Sequence, residues 1–421
     1  YFCHGTCYLL KRENMPIKDQ LALYQRIELI PQSTTEFFEN NRECIINNWP
    51  EESALAAKPE ILYDALLASE FCVQPERVGY KIDKVSRDIA GAYYTSSDFS
   101  AQITYRALES YMDRKRRRAI DSDSFACCNE YENITFLDYS CGCGEFLLAV
   151  IQYFDNHVLG YSRKKLATQL RGVDVNPIAL MITIARIVSA VEAEDDENLL
   201  REVAKNFIVG NPLLHSDKIA PLEVRFDNFA LNRLYAETEG INCLELEQQN
   251  LVVLGNPPWE KLRFEERAFF RPVCPAISAI SQKNKREKEI KKLAVNWLEL
   301  LEYYQLLQDD YASVKKEIPK HPLLKVSLVG ELNTYAMFAE LASRLTEKDG
   351  FAAIIVKSAL VTSTCYSSCF RHFVNQGSLS EMFLFDNREK LFQIDSREKF
   401  CVLFFGGEHA GGIKVHYGLT K

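Results

Sequence analysis

The sequence predicts an α/β protein built on a mostly parallel sheet with helices on both faces. Seven short, nearly continuous apolar runs recur between residues 133 and 405, and strands of that texture are buried on both sides. Helical stretches separate most of them, the alternation that builds βαβ units. Two of the runs carry an acid at or next to their end, followed by a turn and an apolar helix, where open sheets of this kind bind ligands.

The seven runs are NITFLD (133–138), LRGVDV (170–175), KNFIVG (205–210), LVVLGN (251–256), GFAAIIV (350–356), SEMFLFD (380–386) and KFCVLFF (399–405). The last two lie close together, which predicts one antiparallel strand at the sheet edge. Residues 1–85 read as an N-terminal helical region, because apolar positions in QLALYQRIELI and EILYDALLASEF recur at three- and four-residue spacing. No strand stands out there. Residues 86–421 then form the sheet domain, with 260–330 as a helical insertion that carries SQKNKREKEIKK (281–292) and a long stretch through NWLELLEYYQLL. A second basic run, DRKRRRA (113–119), precedes the first strand. Both basic runs read as solvated helix faces, or alternatively as phosphate-contacting patches.

Composition narrows the function classes. At about 150 residues per domain, 421 residues give two to three domains, and 47% hydrophobic with 26% charged residues is ordinary for a globular protein. No apolar run reaches the roughly 20 residues of a bilayer span, and the opening YFCHGTCYLLKREN lacks the features of a secretion signal. A cytoplasmic chain without membrane contact is expected. The net charge of −8 argues against a generic polyanion binder. The 13 cysteines, an odd number scattered in apolar surroundings, read as reduced. The chain does not open with Met, so a piece of a longer protein is expected.

The turn after the first run, YSCGCGEFLLAVI (139–151), carries Gly142 and Gly144, which let the backbone approach a ligand. Asp138 sits where its carboxylate could meet a positively charged group, such as the amino-acid part of S-adenosylmethionine. A tight turn with no ligand is the bland alternative. One βαβ unit on, Asp174 in GVDVNPIAL (172–180) stands where ribose hydroxyls are held, or serves as a helix cap. Pro177 would open the following helix.

The sharpest feature is LVVLGNPPWEKL (251–262). An apolar strand ends in Asn256, Pro257, Pro258 and Trp259. Two prolines fix φ and remove two donors, so the Asn256 side-chain oxygen and the Pro257 carbonyl can both accept from one NH₂ group, with Trp259 as a face for a planar base. An exocyclic amine on a heteroaromatic ring is a poor nucleophile because its lone pair is delocalised. Two acceptors on its N–H bonds favour a pyramidal nitrogen and free that pair. In-line attack on a sulfonium methyl then needs positioning and charge complementarity more than a strong base.

These segments resemble the N6-adenine-specific DNA methyltransferases, with closest likeness to the type IIG restriction–modification and phage-defence (BREX- or DISARM-like) methylases. GAYYTS (91–96) looks like their Gly-x-Tyr-Tyr-Thr-Pro segment, LDYSCGCGEF (137–146) like their Asp-Pro-x-Cys-Gly-Ser-Gly-x-Phe loop, and FIVGNPLL (207–214) like their Gly-Asn/Asp-x-Leu segment. NPPW matches the catalytic motif. GELNTYAMFAELASRLTEKDGFAAIIVKSAL (330–360) and FDNREKLFQIDSREKFCVLFF (385–405) look like later segments, so the likeness covers about residues 86–405. It implies a class I S-adenosylmethionine-dependent methyltransferase fold with a seven-stranded, mostly parallel sheet and one antiparallel edge strand. It implies Asn256, Pro257, Pro258 and Trp259 as catalytic, and Tyr93, Thr95, Asp138, Ser140, Gly142, Gly144, Phe146, Asp174 and Asn211 as the S-adenosyl-L-methionine site, with Tyr93 and Thr95 at its methionine end and Asn211 near its adenine.

The implied reaction is methylation of adenine N6 in double-stranded DNA with the adenine flipped out, as the modification component of a restriction or phage-defence system. A specificity or nuclease subunit, or a missing target-recognition segment, would supply sequence readout, since only about 16 residues follow FCVLFF. The alternatives are transfer to cytosine N4, RNA or a protein glutamine, and a weak or inactive binding subunit of a defence complex. Three positions depart from the family pattern. Ser96 and Tyr139 replace prolines, and Cys143 replaces a serine. Tyr139 is expected to add bulk beside the methionine pocket. No metal site is expected: Cys141 and Cys143 have the wrong spacing for zinc, Cys3, His4 and Cys7 would need an outside ligand, and the seven histidines form no cluster.

Overall fold

The computed structural model describes residues 69–74, 77–82, 95–121, 131–214 and 250–420, apart from 407–411 and a few single positions. The helical reading of residues 1–68 lies outside them. The chain divides into two compact units, one of residues 1–92, 220–237 and 263–315, the other of 93–219, 238–262 and 316–421.

The larger unit holds the sheet. Its strands are β3 (Thr135–Asp138), β4 (Leu170–Asp174), β5 (Phe207–Val209), β6 (Leu251–Gly255), β7 (Phe351–Lys357), β8 (Leu379–Asp386), β9 (Lys399–Phe405) and β10 (Lys414–Leu419). All seven runs read from the sequence are strands. The order across the sheet is β10-β8-β9-β7-β6-β3-β4-β5. From β7 through β6, β3 and β4 to β5 every pair is parallel. Burial on both faces explains why these strands read as continuous apolar runs: every residue of β6 is buried, and six of the seven in β7.

Two expectations about the sheet are corrected. Among the described residues it has eight strands, not seven. Its antiparallel strand is not at the edge, because β9 lies between β7 and β8 and runs antiparallel to both. The extra strand, β10, pairs parallel to β8 at the edge. Its sequence KVHYGL gave no alternating signal because it is exposed on most positions. It is held by pairing and by His416, whose Nε2 lies 2.8 Å from Glu381 Oε1 and whose ring stacks on Phe383 at 4.2 Å.

The helices around the sheet are α1 (Ser97–Asp121), α2 (Glu145–His157), α3 (Arg163–Gln169), α4 (Pro177–Ala190) and α5 (Glu197–Ala204). The α1 helix buries Phe99, Ile103, Ala107, Leu108, Tyr111 and Met112, a stripe at helical spacing. It packs on α2 and β7. Ser96, one of the three departures, caps it: the Ser96 hydroxyl accepts the Phe99 N–H at 3.4 Å and its carbonyl accepts that of Ser100 at 3.0 Å.

The basic run 113–119 is not a uniform solvated face. Arg114 turns inward, 7% exposed, and its guanidinium donates to the carbonyls of Gly406, Asp349 (2.6 Å) and Gly350 (2.8 Å). Removing it leaves three carbonyls short of a donor. Arg114→Leu is therefore expected to destabilise the protein by about 3 kcal/mol, read as a lower urea midpoint at unchanged m-value.

The smaller unit contains the antiparallel hairpin β1 (Ser69–Gln74) and β2 (Arg77–Ile82). That hairpin corrects the helical reading of 1–85 at these residues. The unit also contains helices α6 (Glu266–Val273), α7 (Lys283–Asn296) and α8 (Leu298–Glu317). Phe269, Phe270, Ile277, Ile290, Leu293, Leu300 and Tyr304 form its apolar core. Most of α7 is exposed, as a solvated face requires. Besides Ile290 and Leu293, Arg286 is buried, held on Glu266 and on the Ile280 carbonyl at 2.8 Å. In the larger unit, α9 (Thr334–Leu345) and α10 (Ser367–Asn375) pack on each other, and α9 also packs on β7. No helix among the described residues is long and apolar enough to cross a membrane.

Candidate active site

From β3 the chain steps to β4 and then β5 on one side of the sheet, whereas β6 and β7 lie on the other. The carboxyl ends of β3 and β6 therefore flank the point where strand order reverses, the crevice in which open α/β sheets bind ligands. Asp138 ends β3 and Gly255-Asn256 ends β6. The two ends touch, because a Cβ built on Gly255 would lie 2.7 Å from Asp138 Oδ1. Glycine is required at 255 for this approach.

The turn between β3 and α2 is folded over the end of β4. Ser140 N–H donates to Asp138 Oδ1 at 3.0 Å, and Gly142 N–H donates to Asp174 Oδ2 at 2.9 Å. The Thr183 hydroxyl on α4 donates to the Gly142 carbonyl at 2.7 Å. Gly142 and Gly144 have φ of 51° and 86°, the left-handed region that glycine enters without strain. Their surroundings differ. Space is open where a Cβ on Gly142 would be, whereas one on Gly144 would meet Thr183 Cγ2 at 2.7 Å. Gly144→Ala is expected to cost roughly 2 kcal/mol through backbone strain, and to loosen the turn by displacing Thr183. Denaturant unfolding measures the first effect.

Asp138 is 1% exposed. Burial, assisted by the nearby Asp174 charge and opposed by the Ser140 N–H, pushes its carboxyl up to about 8. Phe146 is buried in the first turn of α2, and Asn211 after β5 accepts the Leu213 N–H on Oδ1 at 3.0 Å. The Asn211 segment abuts β4, where the Gly210 N–H donates to the Asp174 carbonyl at 2.9 Å. Tyr93 lies outside the described residues.

Asn256 is half-buried. Its Nδ2 donates to Thr95 Oγ1 at 3.1 Å. Its Oδ1 is buried and has no hydrogen-bond partner among the described residues, an unusual state for such an acceptor. The corner after it is fixed by Thr334 at the start of α9. The Thr334 hydroxyl lies 2.6 Å from the Pro258 carbonyl and accepts the Glu260 N–H at 3.0 Å. Pro257 is buried and Pro258 half-buried.

Trp259 requires a correction. Its ring does not offer a face to a base. It is 5% exposed, donates from Nε1 to the Ile355 carbonyl at 3.4 Å, stacks on Phe400 at 5.9 Å and meets Phe392 edge-on at 5.1 Å. The large apolar ring is worth more inside the core than beside the crevice. Tyr139 is a second correction. Its ring packs on Phe338 at 5.0 Å and its hydroxyl donates to the Phe338 carbonyl at 3.1 Å, so its bulk lies against α9. Cys143 is buried, and its carbonyl accepts from Arg186 at 2.5 Å.

A continuous contact chain thus runs from Asp174 through Gly142, Ser140, Asp138 and Gly255 to Asn256 and Thr95. Thr183, Thr334, Phe392 and Phe400, which support it, were not singled out in the sequence, because lone hydroxyls and aromatics in apolar segments carry no motif. Cys3, His4 and Cys7 lie outside the described residues, among which no group of three His, Cys, Asp or Glu could hold a metal.

No protein-family model and no curated protein matches the chain. Solved structures to which the chain shows a likeness include the DrdV–DNA complex, at 14% identity and a TM-score of 0.43 over 79% of this chain and 28% of that one. A nuclease-deletion mutant of the Type ISP restriction–modification enzyme LlaGI, in complex with a DNA substrate mimic, has 12% identity and a TM-score of 0.43 over 79% and 25% of the two chains. A methyltransferase subunit of a type I restriction–modification system from Streptococcus thermophilus has 11% identity and a TM-score of 0.38 over 75% and 45%. The chain spans about a quarter of the length of the first two.

Proposed function

We propose that this chain is an S-adenosylmethionine-dependent methyltransferase of class I fold that modifies adenine N6 in double-stranded DNA. The observation that carries the reading is Asn256 Oδ1, a buried acceptor with no donor among the described residues, on the residue that follows β6, whose last residue, Gly255, lies against Asp138. An acceptor so placed suits a substrate N–H. The motif order and the GAYYTS likeness favour DNA adenine among amino substrates, in the modification component of a restriction or phage-defence system.

The residues fit the cofactor: there is open space above Gly142, with carboxylates at Asp138 and Asp174. When bound, the cofactor supplies a sulfonium-activated methyl group. Asp174 would hold its ribose hydroxyls, Asp138 and Ser140 its charged amino-acid end with Tyr93, and Phe146 and Asn211 its base. Asn256 Oδ1 would accept one amine N–H, turning the nitrogen lone pair toward the methyl, while Pro257 and Pro258 keep the corner rigid. Asn256 Oδ1 would also stabilise the positive charge that the amine gains on methylation, and the amine's proton would then pass to water. The target adenine must leave the duplex to reach Asn256.

The test is transfer of tritiated methyl to duplex DNA, RNA and protein side by side, followed by nucleoside analysis of the DNA. Label in N6-methyladenine is expected, and label on protein alone would overturn the DNA reading. One observation favours that second reading, transfer to a glutamine amide: the burial of Trp259 withdraws the expected stacking face.

A further inference from the structure

We propose that an open cleft beyond the carboxyl end of β7 holds a backbone phosphate of the DNA strand that delivers the flipped adenine; the proposal rests on the DNA reading above. The cleft has a volume of about 450 Å³ and is lined by residues of the short helix Ala359–Thr362, the turn Thr364–Tyr366 and α10. Thr362, Ser363, Thr364 and Ser367 bring hydroxyls to it, and Arg371 brings a guanidinium. Hydroxyls and arginines are among the groups that bond phosphate oxygens on DNA, and the fork of a guanidinium matches two of those oxygens at once.

The charge pattern selects the same place. Between Asp349 and Glu381 the chain carries no acidic residue, although Asp and Glu make up 58 of its 421 residues. Every residue lining the cleft comes from that stretch. Arg371 is exposed and makes no hydrogen bond or ion pair among the described residues. Other cations of the larger unit are paired, Arg344 on Glu347 at 2.7 Å and Lys399 on Asp386 at 2.7 Å. Glu340 and Glu347, whose charges reach the adjacent His372, are taken up by the amides of 325–327 and by Arg344. A body of net charge −8 repels DNA over most of its surface. An acid-free cleft with an unpaired cation is where a phosphate approaches at least cost.

The cleft also lies on the catalytic edge of the sheet. β7 runs parallel to β6, so both carboxyl ends share that edge. Gly255 is paired with Ile354, and β7 ends three residues further on, roughly 10 Å along the strand. Tyr366, in the turn that lines the cleft, accepts the Asn333 side-chain N–H, and the next residue, Thr334, fixes the Pro258 carbonyl. The cleft wall and the Asn256 corner are therefore tied together through the start of α9. A strand whose base has been drawn to Asn256 passes its backbone along this edge.

The experiment measures binding of the full chain to two fluorescein-labelled DNA duplexes of unrelated sequence, by anisotropy between about 50 and 200 mM salt. Wild type is compared with Arg371→Gln, Arg371→Lys and Thr364→Glu, each checked for folding by thermal unfolding. Arg371→Gln is expected to raise Kd roughly tenfold at 50 mM salt and to reduce the slope of log Kd against log salt by about 0.9. Both duplexes should respond alike, because a phosphate carries no sequence. Arg371→Lys should keep the slope, and Thr364→Glu should weaken binding at least as much as Arg371→Gln. The Kd of S-adenosylmethionine and kcat at saturating DNA should stay within about twofold of wild type. A folded Arg371→Gln with wild-type Kd and slope, a loss that lysine does not recover, or a loss on one duplex alone would each overturn the proposal. So would saturable binding of inorganic phosphate, abolished by Arg371→Gln while DNA affinity is unchanged, which would assign the cleft to a small anion. A wild-type chain that binds neither duplex would instead overturn the DNA reading itself, and the cleft with it.

Discussion

Asn256→Ala is expected to abolish methyl transfer, a loss of at least about 10²- to 10³-fold in kcat, while the Kd for S-adenosylmethionine stays within about threefold. The asymmetry follows from the two ends of the side chain. Nδ2 is bonded within the protein, to Thr95, and Oδ1 has no partner among the described residues. Truncation removes the side-chain acceptor that would act on the reacting nitrogen and touches none of the glycine turn or the acids at the ends of β3 and β4. The fold should tolerate the change, because the corner is fixed by Thr334 on the Pro258 and Glu260 backbones. Single-turnover transfer of tritiated methyl with calorimetry on the same preparation measures both quantities. Retained turnover would move the chemistry elsewhere.

The second large effect is on stability, at Asp138. Its folded pKa of about 8 stands well above the roughly 3.9 of an unfolded aspartate. A raised folded pKa means that the native state binds the extra proton. The stability it contributes is fully present below about pH 4 and is lost as pH rises through about 8. Each unit in that window costs about 1.4 kcal/mol. Asp138→Asn imitates the protonated acid, keeps an oxygen for the Ser140 N–H, and does not ionise. It is expected to stabilise the free protein at pH 8 by on the order of 3 kcal/mol relative to its effect at pH 5. It should also weaken S-adenosylmethionine binding at pH 8, where the carboxylate would otherwise meet a cation. Chemical denaturation of both proteins at pH 5 and pH 8 checks the sign, and equal wild-type stability at the two values would contradict it. The same acid would then be a cost to the fold that binding turns to use.

Much of the sheet was legible because its strands are buried on both faces. Leu251–Gly255 and Phe351–Lys357 carry unbroken apolar sequences that no solvated element would have. What was missed had weaker chemistry. Lys414–Leu419 is a mostly exposed edge strand that pairs only with β8 among the described residues, and Ser69–Gln74 and Arg77–Ile82 are strands of six residues each, paired with one another. The place of β9 inside the sheet was hidden too, since closeness in sequence to β8 says nothing about which neighbour lies beyond.

The candidate site divides in the same way. Asp138, Gly142, Asp174 and Asn256 were found by position, an acid, a glycine or an amide at the end of a strand, and the strand register brings them together. The orientation of side chains was not legible. Trp259 and Tyr139 both looked like groups that would face the crevice, and both turn into the core, because Phe400 and Phe338 lie where no local pattern announces them.

The wall behind Trp259 is supplied by Phe392 and Phe400, more than 130 residues further along the chain. A shortened protein ending after β7 would contain the glycine turn, both acids and the whole Asn-Pro-Pro-Trp corner, yet its indole would open onto water. Anyone trimming this chain to a minimal fragment should therefore count residues through 405 as part of what holds the Asn-Pro-Pro-Trp corner.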